Sequence, residues 1–141
     1  MEDCKNNFSE IMSERLLDFA VGIIKIEKEL CKSYAGRHVY GQLFRAGSSC
    51  GANYEESVGA ESKADFIHKT QIVLKEVRES NFWLRLIKKG NLLKNDDNDL
   101  EFLLKESYEF IKIFSSSLVT AKRNKNINVN IFSLFYHLFA I

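Results

Sequence analysis

The chain has 141 residues, a formal net charge of +1 and no proline. This length fits one domain that buries enough surface to fold without disulfides or a structural metal. The balanced charge gives no support to a nucleic-acid role, which usually needs a strongly basic domain, although a local basic patch stays open. No run approaches the roughly 20 apolar residues of a membrane span. The absence of proline is typical of a chain that is mostly helix.

Cysteine use indicates a reducing environment. Cys4, Cys31 and Cys50 are odd in number and far apart, which fits reduced thiols better than a zinc site or a disulfide framework. The chain also starts without the basic and apolar leader of a secreted protein. We therefore expect a cytoplasmic protein.

The first predicted helix shows apolar residues at spacings of three and four. Ser9 or Ser13 is expected to cap its N-terminus, and the helix is expected to end near Lys32. Its inward residues are predicted to be Leu16, Phe19, Ala20, Ile23, Ile24, Glu27 and Leu30.

The second predicted helix covers about residues 37–58, after a connection at residues 33–36. It contains Gly41, Gly47 and Gly51, and glycine inside a helix costs about 1 kcal/mol relative to alanine. Close helix packing is the simpler explanation, and a surface where a partner touches the backbone is the alternative. The inward residues are predicted to be Val39, Leu43, Ala46, Cys50 and Tyr54.

The third and fourth helices are predicted over about residues 63–89 and 99–122. Ser62 followed by Asp65 is an N-cap pattern, and Gly90 is expected to end the third helix. The third helix is predicted to bury Phe66, Ile67, Thr70, Val73, Leu74, Val77, Asn81, Leu84 and Ile87. The fourth is predicted to bury Leu100, Leu103, Leu104, Tyr108, Ile111, Phe114, Leu118 and Ala121.

Four helices of about 20 residues joined by short loops predict an all-α, antiparallel, up-down-up-down four-helix bundle. We expect this bundle to occupy residues 1–125, and an apolar C-terminal tail to follow at residues 126–141. The tail is too short to span a bilayer. It is expected to pack on its own bundle, cover a subunit interface or lie on a membrane surface, the last ranked third because residues 131–141 contain no lysine or arginine.

Arg45, Ser49, Asn53 and Glu56 recur along the second helix at spacings of four, four and three. We call these four residues the polar stripe. We expect them to pin this helix against the third helix, where Lys75, Glu76 and Glu79 lie, or against a neighbouring subunit, with Arg45 paired to a carboxylate. The alternative is a binding site for a polar ligand or partner.

Motifs for catalysis or metal binding are missing from the sequence. No histidine follows a glutamate by three positions, as the di-metal centres of helical bundles require. There is also no G-x-S-x-G nucleophile elbow and no phosphate-binding loop. We therefore expect no metal, no cofactor and no enzymatic activity.

One basic and aromatic cluster lies near the end of the third helix. It contains Phe82, Trp83, Arg78, Arg85, Lys88 and Lys89. Candidate contacts to nucleic acid or to a subunit interface are Arg78, Trp83, Arg85, Lys88 and Lys89. Trp83 is expected to be core or interface in preference to a base-stacking platform. Lys122 and Arg123 add positive charge to the fourth helix, but at the opposite end of an antiparallel bundle, so no continuous basic groove is expected within one subunit.

The segment FRAGSSCGANYEES at residues 44–57 resembles the Arg-x-x-x-Ser-x-x-x-Asn-x-x-Glu signature of the four helix bundle protein family. This family was formerly described as ribosomal, and some members are encoded in intervening sequences of large-subunit ribosomal RNA genes. Residues 72–84 look like its third-helix pattern, and the resemblance covers about residues 9–123. Arg45, Ser49, Asn53 and Glu56 match the signature, and their role in the family is structural or unassigned.

The resemblance implies an antiparallel bundle that forms a homopentamer. The chain is also similar to the accessory protein of diversity-generating retroelements, a basic pentameric barrel that binds nucleic acid and a reverse transcriptase. The balanced charge and the tail depart from this pattern. We expect a non-enzymatic, oligomeric binding or scaffold protein associated with RNA or a nucleoprotein; the alternative is a structural protein–protein interaction module without a nucleic-acid role.

Overall fold

The protein is described by a computed structural model covering residues 2–94 and 97–123, with side chains from Phe8 onward. Within these ranges the regular secondary structure consists of helices joined by short turns, without strands. The helices are α1 (Glu2–Lys25), α2 (Glu27–Leu30), α3 (Tyr34–Val58), α4 (Lys63–Lys89) and α5 (Asn98–Arg123). The single turn α2 continues α1 beyond Ile26. The four long helices confirm the predicted all-α four-helix bundle.

Neighbouring helices run antiparallel around a closed ring. α3 packs between α1 and α4, and α5 packs between α4 and α1, so α1 and α4 lie diagonally across the core. Arg15 of α1 pairs with Glu106 of α5 at 2.9 Å, and Gly22 of α1 lies beside Leu103 of α5. Residue numbers therefore rise along α1 as they fall along α5, which places Arg123 near the level of Glu2.

Aromatic rings fill the middle of the core. Phe19 meets Phe110 edge-on at 5.6 Å between ring centroids, and Tyr54 meets Phe114 at 5.9 Å. Burial of such rings from different helices supplies much of the hydrophobic driving force of a bundle this size. All five residues predicted to line the inner face of α3 are buried.

Three predictions for the first helix are wrong. Ser9 and Ser13 lie inside α1, which already starts at Glu2, and the regular helix ends at Lys25 before the extra turn of α2. Ile24 is 49% exposed and Glu27 is exposed, because each is one residue, or about 100°, away from the inward positions Ile23 and Ile26. The buried residues are Met12, Leu16, Phe19, Ile23, Ile26 and Leu30.

Side-chain caps fix the starts of the later helices. The Ser33 hydroxyl oxygen accepts a hydrogen bond from the Gly36 backbone N–H at 2.9 Å. This cap starts α3 at Tyr34, about three residues earlier than expected. Gly36 is required there because a Cβ would lie 1.7 Å from the Leu30 carbonyl oxygen. Ser62 caps α4 as predicted, and the bounds of that helix match the predicted 63–89.

The inner face of α5 is rotated from the predicted one at two positions. Tyr108 is 48% exposed and Ile111 is only partly buried. Their places in the core are taken by Ser107 and Phe110. Ser107 is tolerated inside because its hydroxyl donates to the Leu104 carbonyl at 2.8 Å. The other six inward predictions for α5 are buried as expected.

Close packing explains one of the three helical glycines clearly. A Cβ on Gly47 would lie 2.2 Å from Ile23 Cδ1, whereas one on Gly41 would meet nothing within 4 Å. The predicted domain boundary at 125 and the tail at 126–141 lie outside the described residues. In the part of the chain that is described, no helix is long and apolar enough to cross a membrane.

Candidate functional site

The outer face of α4 carries a line of exposed basic side chains. Lys75, Arg78, Phe82, Arg85 and Lys89 are all exposed, at spacings of three and four that keep them on one side of the helix. With a rise of 1.5 Å per residue, this line is roughly 21 Å long. We call these five residues the basic stripe. It lies outward because the opposite side of α4 is packed into the core.

The basic stripe contains no acidic residue, because the carboxylates of α4 face elsewhere. Glu79 pairs with Arg45 of α3, and Glu76 Oε2 lies 3.7 Å from Arg45 Nη1. Asp65 pairs with Lys69 at 3.0 Å. Lys75, Arg78, Arg85 and Lys89 form no ion pair with any described residue. Their positive charge is therefore not neutralised within the bundle.

The exposed aromatic ring of the stripe is Phe82, which belongs to the predicted basic and aromatic cluster but was not among the predicted contacts. Phe82 is 55% exposed and sits between the positions of Arg78 and Arg85. Trp83 is half-buried: its indole N–H lies 3.4 Å from Glu79 Oε1, and its ring meets His38 edge-on. Trp83 therefore belongs to the contact between α3 and α4, and the stripe offers the Phe82 ring to solvent.

Arg45 connects the polar stripe to this site. Its guanidinium holds Glu76 and Glu79 on the α3 side of α4, as expected from the spacing. The other members do not join it in one site: Asn53 Nδ2 donates to the Ser49 carbonyl at 2.8 Å, and Glu56 is exposed. Thus Arg45 both ties α3 to α4 and turns two carboxylates away from the basic stripe.

The remaining basic candidates lie apart from the basic stripe. Lys88 forms an ion pair with Glu101 of α5. Lys122 and Arg123 are exposed at the end of α5, which the antiparallel arrangement places at the far end of the bundle from Lys89. Lys75, which was expected to face α3, lies on the outer face instead.

Reactive groups are not gathered into a centre. Among the described residues no three histidine, cysteine, aspartate or glutamate side chains are grouped to hold a metal ion. Burial raises the pKa of the Cys50 thiol to about 12, and its sulfur donates to the Ala46 carbonyl at 3.2 Å. A thiol in this state is not a nucleophile near neutral pH.

The fold places the chain in the class of small antiparallel four-helix bundles. Within that class, residues 11–116 match the family described as 23S rRNA-intervening sequence protein, and the chain belongs to this family. A crystal structure of a protein of unknown function from the S23 ribosomal protein family of Bacteroides thetaiotaomicron is similar, with a TM-score of 0.69 and 32% identity. The match covers 79% of this chain and 98% of that one. The comparison with curated proteins gave no match.

Proposed function

We propose that this protein is a non-enzymatic, oligomeric helical-bundle module that binds RNA through the basic stripe of α4. The observation that carries the proposal is a line of four cations that form no ion pair with a described residue, with an exposed phenyl ring at its middle. Cations in a row attract the phosphates of one strand, and an exposed ring offers a stacking surface to a base. The link between its family and ribosomal RNA intervening sequences makes RNA the first partner to test.

The balanced net charge is compatible with this proposal because the charge is unevenly distributed. The exposed face of α1 carries Glu10, Glu14 and Asp18, and α1 lies diagonally across the core from α4. Acidic groups on one side therefore offset basic groups on the other in the total of +1. An RNA strand on α4 is separated from those carboxylates by the bundle itself, and counterions screen charges more than about 8–10 Å apart.

We propose that the bundle binds RNA as an oligomer. A single stripe neutralises at most about four phosphates, which supports only weak binding at physiological salt. Several stripes on one assembly raise the affinity through effective concentration without any new type of contact. We propose the homopentamer implied by the family resemblance as that assembly.

The test is a titration of the full-length protein into labelled structured RNA at two salt concentrations. Each phosphate contact lowers log K by about 0.7–0.9 per unit of log salt concentration. The proposal predicts binding at low salt that weakens by this rule at higher salt. It is contradicted by no binding at low salt, or by binding that salt does not change.

The second candidate is a protein–protein interaction module without a nucleic-acid role. The observation in its favour is the exposed apolar line formed by Leu17, Val21 and Ile24 on α1, because contiguous exposed apolar surface often marks an interface. This candidate predicts that charge-removing substitutions on α4 leave all partner binding unchanged.

A further inference from the structure

An apolar groove lies between α1 and α3, on the side of the bundle away from the basic stripe. It has a volume of about 290 Å³, which gives room for about two aromatic rings, since a cavity of about 150 Å³ holds one benzene. Ser13 and Glu55 bound it at one end. Its walls are Leu16, Leu17, Ala20, Ser48, Gly51 and Ala52. The small residues of α3 leave the groove open.

The rim of this groove is apolar surface that no described residue covers. Leu17 is 55% exposed, and Val21 and Ile24 continue the exposed line along α1 at 41% and 49%. The spacings of four and three put these three side chains on one side of the helix. Groove and rim together make a surface suited to an apolar segment.

The chain itself contains such a segment. Residues 131–141 read IFSLFYHLFAI, with three phenylalanines and no lysine, arginine, aspartate or glutamate. This sequence follows α5 after a spacer at residues 124–130. Burial of each large apolar side chain of this segment would be favoured over exposure to water by a free energy of roughly 1.5–3 kcal/mol.

The spacer is long enough to reach the groove. α5 ends near the level of Glu2, and Ser13, at the near end of the groove, lies about 17 Å higher along α1. Passing around α1, a helix about 10–12 Å in diameter, adds roughly 16–19 Å sideways, so the path is roughly 23–25 Å. Seven extended residues span roughly 23–25 Å, which places residue 131 at the near end of the groove.

The neighbouring groove between α1 and α5 is a poorer match for this segment. It is lined by Asp18, Lys25 and Asp99 beside Val21 and Phe102, so an apolar occupant would bury charged groups at a cost. It also lies near Gly22, farther along α1 from the end of α5 than the groove between α1 and α3.

We infer that residues 131–141 lie in the groove between α1 and α3 of the same chain and place phenylalanine side chains against Leu17 and Ala52. The inference does not depend on RNA binding, because the groove and the basic stripe lie on different faces. It assigns the apolar tail to intramolecular cover of the α1 surface.

Disulfide trapping in the full chain tests the position of the tail. In a Cys4→Ser, Cys31→Ser background, Phe135→Cys is combined with Ala52→Cys in the groove, with Phe102→Cys in the neighbouring groove, or with Gln71→Cys on α4. We expect the Ala52→Cys pair to close at least about tenfold faster than either control, because docking raises the effective concentration of the tail. The product should stay within one chain when tagged and untagged copies are mixed.

Faster closure at Phe102→Cys or Gln71→Cys, or a product joining tagged to untagged chains, overturns the inference. A second measurement needs no cross-link: the rate at which Ala52→Cys reacts with a maleimide dye. Phe132→Ser, Phe135→Ser and Phe139→Ser together should raise this rate about tenfold by uncovering the groove, as local opening governs access to a covered site. The rate at Gln71→Cys should stay unchanged; an unchanged rate at Ala52→Cys contradicts the inference.

Discussion

At the scale of single residues, Arg45 shows how one side chain serves both stability and charge distribution. Glu76 is only 7% exposed, and its carboxylate would be costly to bury without a nearby cation. Arg45 supplies that cation for Glu76 and pairs with Glu79 as well. The same contacts leave the outer face of α4 without acidic groups.

Replacing Arg45→Met should lower the free energy of unfolding by about 1–2 kcal/mol, because Glu76 loses its cation while staying buried. The effect is smaller than for a fully buried pair because the Arg45 side chain is 54% exposed. Urea denaturation measures it. Arg85→Met is the matched control and should change stability by less than about 0.5 kcal/mol, since Arg85 is exposed and forms no ion pair with a described residue. Equal effects of the two substitutions would refute the assigned role.

Gly47 and Gly41 give a second comparison at this scale. Gly41→Ala should stabilise the protein by up to about 1 kcal/mol, through higher helix propensity in open space. The Gly47→Ala variant should be about 1–3 kcal/mol less stable than the Gly41→Ala variant, because a Cβ at position 47 would displace the Ile23 side chain. Thermal or urea unfolding of both variants checks this; similar stabilities would show that Ile23 rearranges freely.

At the scale of helices, buried polar side chains fix how α4 packs on α5. Asn81 Nδ2 donates to Ser107 Oγ at 2.9 Å across this contact. Ser117, also buried on α5, has no hydrogen-bond partner for its hydroxyl among the described residues. These two serines should therefore respond differently to the same substitution.

Ser107→Ala should cost about 1–3 kcal/mol of stability, because the buried Asn81 amide loses its acceptor. Ser117→Ala should be neutral or stabilising, because it removes a buried hydroxyl without a partner. Both changes remove one oxygen from α5, so urea unfolding of the pair isolates the hydrogen bond. A destabilisation by Ser117→Ala as large as that by Ser107→Ala would contradict this explanation.

How well each helix could be predicted from the sequence depended on its local signals. α4 was predicted at both bounds because Ser62 and Gly90 are strong boundary residues. The start of α1 was missed because residues 2–7 are mostly polar but contain no helix breaker. On α5, Phe110 was missed in favour of Tyr108, because an aromatic residue fits either side of a helix until its packing partner, here Phe19, is known.

The candidate site was predicted only in part, because local sequence shows charge but not the partners that other helices supply. Arg78, Arg85 and Lys89 were selected from local charge, and the structure places all three on the outer face of α4. Lys88 was also selected, but its pairing with Glu101 depends on α5 and cannot be derived from local sequence. Phe82 was placed in the same cluster but not selected as a contact, although its spacing from Arg78 and Arg85 already put it between them.

At the scale of the whole molecule, the proposed function needs an assembly. The account predicts a single species of about five times the 16.3 kDa chain mass in size-exclusion chromatography with light scattering. A tight oligomer of this kind should keep its mass on dilution, since stable interfaces bury at least about 1,200 Å² in total. A stable monomer would remove the pentamer from the proposal and leave the binding surface to be tested alone.

RNA binding by the basic stripe is the central claim, and the most direct test is the salt dependence of RNA affinity for two charge-matched variants. Arg78→Gln with Arg85→Gln removes two cations from the stripe. Lys28→Gln with Lys105→Gln removes two exposed cations from other helices. The account predicts that the first variant binds more weakly and that its log–log salt slope becomes shallower by about 1.4–1.8 per bound subunit, while the second matches the wild type. Identical slopes for the two variants would contradict the assignment of RNA binding to α4.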